Sequence, residues 1–276
     1  MPTTDIQAID VHGHFGEYRR DDAPPGVNAF MSADAMTVAA RAWRVNIKTT
    51  IVSPLSGLLP RGQADAGRAN EEAAQTVSRV DRLLQWVIVH PLQSKTFQQA
   101  AEMLQQPQCV GIKLHPEEHV YPIRDHGEAL FEFAARHDAI VLAHSGDANS
   151  LPIDFIPFAD AYPNVTLILA HLGNGGGASG DPTLQVRAIQ ADRHGNVFVD
   201  TSSARSLMPG LIEWAAREIG PERILFGTDT PLYSAAMQRA RIDQADLSDE
   251  HKQQILCENA QGIFPAVLLK AKKQSC

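Results

Sequence analysis

Four short apolar runs in this chain each stop on residues that can hold a metal or move a proton. They read Ala8-Ile9-Asp10-Val11-His12-Gly13-His14, Ile140-Val141-Leu142-Ala143-His144, Thr166-Leu167-Ile168-Leu169-Ala170-His171 and Arg223-Ile224-Leu225-Phe226-Gly227-Thr228-Asp229. Imidazoles with a carboxylate are the ligand set that zinc and its neighbours take. In His12-x-His14 the two rings leave a strand on the same side, because strand side chains alternate, so both can reach one ion with little strain. A lone histidine at a strand end is an ordinary hydrogen-bonding residue. Five such residues on four strands are read together as a metal site.

Residues at the ends of separate strands meet only if those strands lie side by side, and the chain alternates strand and helix throughout. A helix over 35–43 follows the first run, opened near Ser32-Ala33-Asp34. Strands are expected at 49–53, 84–89, 110–114 and 196–200, besides those ending at His144, His171 and Asp229. Helices are expected at 71–80, 97–104, 128–136, 153–161, 184–192, 211–219 and 248–257. His12 and Asp229 lie 217 positions apart. Seven repeats of about 31 residues fill that span, each the size of one βαβ step. Eight units describe an α/β fold, a single-domain (β/α)8 TIM barrel over residues 1–276, with the site at the carboxyl ends of the strands. An open doubly wound sheet shares the alternation but gives the first and last strands no reason to meet. Alternation places Asp10, His12 and His14 on one face, with Ile9 and Val11 toward the helices. It likewise sets Lys113 and His115 opposite Ile112 and Leu114. Asp10 is inward but deep, a hydrogen-bond partner within the core. The glycine-rich stretch 173–180 is either a mobile lid or a flexible turn, and lacks the spacing of a dinucleotide loop.

Composition narrows the partners. The formal net charge of −8 with no basic stripe argues against nucleic acid. No apolar run approaches the ~20 residues of a membrane span, and the first residues carry no secretory signal. Cys109, Cys257 and Cys276 are odd in number and far apart, which suits a reduced, cytoplasmic setting. A small-molecule substrate is the expected partner, and a homo-oligomer is left open.

Taken in order, Ile-Asp10-x-His12-x-His14, Gly-Ile-Lys113-Leu-His115-Pro, His144-Ser-Gly, Ala-His171-Leu-Gly, Leu-Phe-Gly-Thr-Asp229-x-Pro and the ending Glu258-Asn259-Ala260-x-x-Ile-Phe264 resemble the amidohydrolase superfamily. The resemblance is to its amidohydrolase-2 branch of small barrels, which holds hydrolases, lactonases and decarboxylases. It implies one divalent ion, zinc by preference, held by His12, His14, His144 and Asp229. His171 then serves as an acid/base or binds a second ion. Where the family commonly writes Asp-Trp-Pro, this chain has Asp229-Thr230-Pro231. Lys113 stands where dinuclear relatives carry a carboxylated lysine. The implied chemistry is hydrolysis of an ester, lactone or amide by metal-activated water, with Asp229 and His171 catalytic and Lys113, His115 and His90 lining the substrate site. The alternatives are non-oxidative decarboxylation of a small aromatic or unsaturated acid, gripped by Arg19, Arg20 or Arg61, and a non-catalytic binding barrel.

Overall fold

In the computed structural model, which describes residues 5–264, eight parallel strands follow one another around a single sheet in chain order. They are β1 (Ala8–Phe15), β2 (Ile47–Pro54), β3 (Leu83–Ile88), β4 (Cys109–Leu114), β5 (Ile140–Ala143), β6 (Leu167–Leu169), β7 (Val197–Asp200) and β8 (Ile224–Leu225). The helices are α1 (Pro25–Phe30), α2 (Ala35–Trp43), α3 (Ala66–Val77), α4 (Lys95–Met103), α5 (Ile123–Arg136), α6 (Pro152–Ala161), α7 (Leu184–Ala191), α8 (Leu211–Ile219), α9 (Ala235–Asp243), α10 (Asp249–Gln253) and α11 (Asn259–Ile263). The expected barrel is therefore present. Residues 1–4 and 265–276, Cys276 among them, lie outside the described part. Among the described residues no helix is long and apolar enough to cross a membrane.

The ring closes by backbone hydrogen bonds beyond the two paired residues of β8. Val11 N–H donates to Phe226 O (2.9 Å), Asp229 N–H to His12 O (2.8 Å) and His14 N–H to Thr230 O (2.6 Å). Each one satisfies a group that an open edge would leave bare.

Two apolar layers flank the strands. Ile112 and Leu114 of β4, Val141 of β5 and Val197 of β7 pack outward against the helices, as alternation predicts. The expectation for β1 is corrected. Ile9 and Val11 do not face the helices; they join Ile51, Trp86, Leu142, Ile168 and Leu225 in the second cluster, which fills the barrel. The cause is a pair of register shifts, between Ala8 and Ile9 and between Asp10 and Gly13, that break the two-residue phase of this strand. The cluster is plugged below by Ala260 and Phe264, whose ring meets Trp86 at 5.7 Å. Trp86 in turn donates its indole N–H to Val11 O at 2.8 Å.

Helix boundaries differ mostly by a turn. α3 starts at Ala66 and not at 71, because Asp65 caps it by accepting from Arg68 N–H. Asn70 is buried and bonded to both backbone groups of Ile88. α5 begins five residues earlier than expected, so His126 belongs to the helix and not to the loop before it. The final helix does not run evenly through 248–257: α10, capped by Ser248, passes into a wider π turn at 254–258 before α11. α1 and α9 lack an apolar stripe and were not anticipated.

Candidate metal centre

The barrel's seam also carries the site. Asp10, fully buried at the start of it, accepts from His12 N–H at 3.1 Å, Thr228 N–H at 3.0 Å and the Thr228 hydroxyl at 2.6 Å. These bonds tie β1 to the segment after β8, as expected of a core partner. Burial pushes its carboxyl up to about 8 against those bonds.

Above it, His12 Nδ1 lies 2.8 Å from Asp200 Oδ2 and 2.9 Å from Ser202 Oγ. A carboxylate only accepts, so the ring hydrogen sits on Nδ1 and the Nε2 lone pair faces the mouth. His14 is oriented in the same way, with Nδ1 3.1 Å from Ser53 O and Nε2 3.1 Å from Asp229 Oδ1. Pinning one imidazole nitrogen so that the other is bare is how proteins present histidine to a metal. Burial holds the His12 imidazolium well below its ordinary range, and the nearby Lys113 charge adds to this, so the ring is neutral.

Two lone pairs, on His14 Nε2 and Asp229 Oδ1, thus face each other, an arrangement that a cation between them makes favourable. His12, His14 and Asp229 offer ligand atoms all within 4.8 Å of one another, and so do His12, His171 and Asp200. The first group, two imidazoles and a carboxylate, fits a divalent ion. Both Asp229 (φ 54) and His171 (φ 74) hold left-handed backbone, which costs a non-glycine residue roughly 1–3 kcal/mol and is characteristic of functional sites.

His144, expected as a fourth ligand, has both nitrogens engaged elsewhere. Nδ1 lies 3.0 Å from His171 Nε2, and Nε2 lies 2.5 Å from Asp147 Oδ2. His171 connects this string to the cluster, its ring 4.8 Å from that of His12 and its Nδ1 against Ser202. Burial brings His171 down to about 4, so it too is neutral.

A cavity of about 390 Å³ opens over these groups. His14, His115, His144, His171 and Asp229 form its polar wall, and Leu55, Leu58, Leu59 and Leu232 face them. Arg20 and Arg61 stand at the rim, each paired with a glutamate of the loop after β4: Arg20 with Glu118, Arg61 with Glu117. Arg19 is not among the lining residues. Of the three expected substrate contacts, only His115 lines the cavity, stacked on His144 at 4.1 Å. Lys113 is buried beneath it, 2.8 Å from His12 Nε2. His90 stacks on His119, away from the cavity.

Sequence reasoning passed over Asp200, Ser202, Ser53 and Asp147. Asp200 was findable, since it ends β7 just as the chosen residues end their strands. The glycine-rich stretch packs onto the site: Gly177 pairs with Asp147, and a Cβ there would lie 1.7 Å from Asp147 Oδ1.

The protein family described as Amidohydrolase matches residues 9–266. No curated protein matches the chain significantly. Among solved structures, 2,6-dihydroxybenzoate decarboxylase from Rhizobium is similar, with TM-score 0.71 and 15% identity over 94% of this chain and 98% of that one. So is 5-carboxyvanillate decarboxylase from Sphingomonas paucimobilis, with TM-score 0.71 and 15% identity over 95% and 99%. A third is dihydroxybenzoic acid decarboxylase from Polaromonas with bound manganese and 2-nitroresorcinol, with TM-score 0.69 and 16% identity over 94% and 96%.

Proposed function

The chain belongs to the amidohydrolase family, and on that footing we propose that it is a metal-dependent, non-oxidative decarboxylase of a small aromatic or unsaturated carboxylic acid. Of the two reactions expected from the sequence, hydrolysis and decarboxylation, the similar structures favour the second. One observation carries the reading: a single cavity joins a wall of imidazoles and a carboxylate to a leucine wall, with two guanidinium groups on its rim. A flat acid fits that division, with its ring against Leu55, Leu58, Leu59 and Leu232 and its carboxylate toward Asp229 and His14.

His12, His14 and Asp229 would hold the ion; His144, expected as a fourth ligand, has both nitrogens engaged by His171 and Asp147 and serves the proton path instead. When bound, the ion supplies a Lewis-acid charge for the anionic oxygens of the substrate. Zinc is the preference of the imidazoles, whereas the Polaromonas enzyme carries manganese.

The reaction breaks the bond between the carboxylate and its carbon, releases carbon dioxide and places a proton on that carbon. The string Asp147–His144–His171 is suited to that delivery. Asp147 is partly exposed at the rim, and each later group is within hydrogen-bond distance of the one before. The leucines exclude water from the ring face. Arg20 and Arg61 attract the anionic substrate, their own charges balanced by Glu118 and Glu117 until it arrives.

The test is to incubate metal-loaded protein with hydroxybenzoic and carboxyvanillic acids, and separately with lactones and aryl esters. Carbon dioxide should be released from at least one acid. Turnover of an ester or lactone with no carbon dioxide from any acid would restore the hydrolase reading.

A further inference from the structure

Lys113 is fully buried on β4 and does not line the cavity, so contact with substrate does not explain it. Its amine lies 2.8 Å from His12 Nε2. The other nitrogen of that ring is committed to Asp200 and Ser202. Nε2 therefore carries the lone pair, and Lys113 donates into it. A divalent ion held by His12, His14 and Asp229 needs that same lone pair. One lone pair cannot serve both. The Asp200 and Asp229 carboxylates are both buried close by. Lys113 is the one fully buried lysine among the described residues.

We propose that Lys113 is an internal counter-ion that competes with the metal for His12, holding the site together in the metal-free protein and giving up His12 when a divalent ion binds. The inference rests on the reading of His12, His14 and Asp229 as ion ligands. It assigns Lys113 a part distinct from that of a carboxylated bridge, which would strengthen metal binding. The competition weakens binding in two ways: the lysine bond to His12 has to be broken, and a positive charge stays close to the ion.

The experiment compares wild type, Lys113→Met and Lys113→Arg after chelator stripping. Zinc affinity is measured by competition with a chelating dye, and melting temperature with and without zinc. Lys113→Met should bind zinc about tenfold or more tightly than wild type, as expected for loss of a hydrogen bond to a charged group. Its melting temperature should fall more without zinc than with it. Lys113→Arg, which keeps the charge, should stay near wild-type affinity. Weaker binding by Lys113→Met would overturn the proposal in favour of a bridging lysine. Unchanged affinity with equal melting losses would overturn it in favour of a purely structural one. A wild-type measurement guards against misfolding of the variants. With 15N-labelled lysine, the resonance of the buried amine should shift when zinc is added, and an unmoved resonance would also overturn the proposal. Failure of the wild type to bind any divalent ion would instead indict the ligand assignment itself.

Discussion

Replacing Asp200 by asparagine alters one atom of the pattern beneath His12. Asp200 Oδ1 accepts from the backbone N–H of His171 at 3.0 Å and of Ser202 at 2.9 Å, and these two donors can be met only by an oxygen. The amide NH2 must then take the Oδ2 position, 2.8 Å from His12 Nδ1. A donor at that point demands a lone pair on Nδ1 and drives the ring hydrogen to Nε2, where the ion would bind. Metal must now displace a proton from the wrong tautomer. Disturbing such a partner typically weakens metal binding 10- to 100-fold, or about 1.4–2.8 kcal/mol. The assay is a dye-competition titration of stripped wild type and Asp200→Asn with zinc or manganese, with circular dichroism to confirm the fold. Binding by a folded Asp200→Asn within threefold of wild type would refute the tautomer reasoning and remove Asp200 from the site.

Three further outcomes are expected. His171→Ala and His144→Ala should each keep the ion and lose turnover, since both are links of the proton string; elemental analysis and one rate on each variant decide, and loss of metal from either would make that histidine a ligand. Gly177→Ala drives a Cβ to within 1.7 Å of Asp147 Oδ1, so the backbone pairing should open at about 1–3 kcal/mol, with a fall in kcat exceeding any change in KM. Glu213 tests pH dependence away from the site: burial alone would raise its carboxyl, but the Arg241 fork and the Asp246 N–H outweigh burial and bring it down to about 2. A carboxyl depressed on folding stabilises the protein above its unfolded value near 4.5 and loses that contribution as pH falls toward 2, so Glu213→Gln should lower the melting temperature at pH 7 and flatten its decline between pH 4.5 and 2.

The eight-unit rhythm was legible because it is carried by buried strands of Val, Ile and Leu, whose partners hardly alter their local pattern. His12, His14, His171 and Asp229 were legible for a related reason: a polar residue ending an apolar run stands out. The inward turn of Ile9 and Val11 was not legible, since the register shifts of β1 arise from its pairing with β2 and leave no mark on composition. Ser53 and Ser202 gave no signal either. Ser53 matters through its contact with His14, and Ser202 through its contacts with His12 and His171, all rings from distant strands. Arg20, Glu118 and Asp147 come from loops, where no periodicity reports direction. The expected ligand role of His144 rested on resemblance, and only geometry shows how fully its nitrogens are engaged by His171 and Asp147.

The hydrogen bond from Asp229 N–H to His12 O, 2.8 Å long, joins residues from nearly opposite ends of the chain. During synthesis His14 leaves the ribosome 215 residues ahead of Asp229. At about 5–20 residues per second, that leaves the two histidines without their carboxylate for roughly 11–43 s. Two histidines without their carboxylate make a weaker chelator than the closed set, so metal capture at the proposed site would wait until the last strand docks. If these residues hold the ion as proposed, loading it would double as a check that the barrel has closed, and a chain stalled before residue 229 would lack the carboxylate that completes the site.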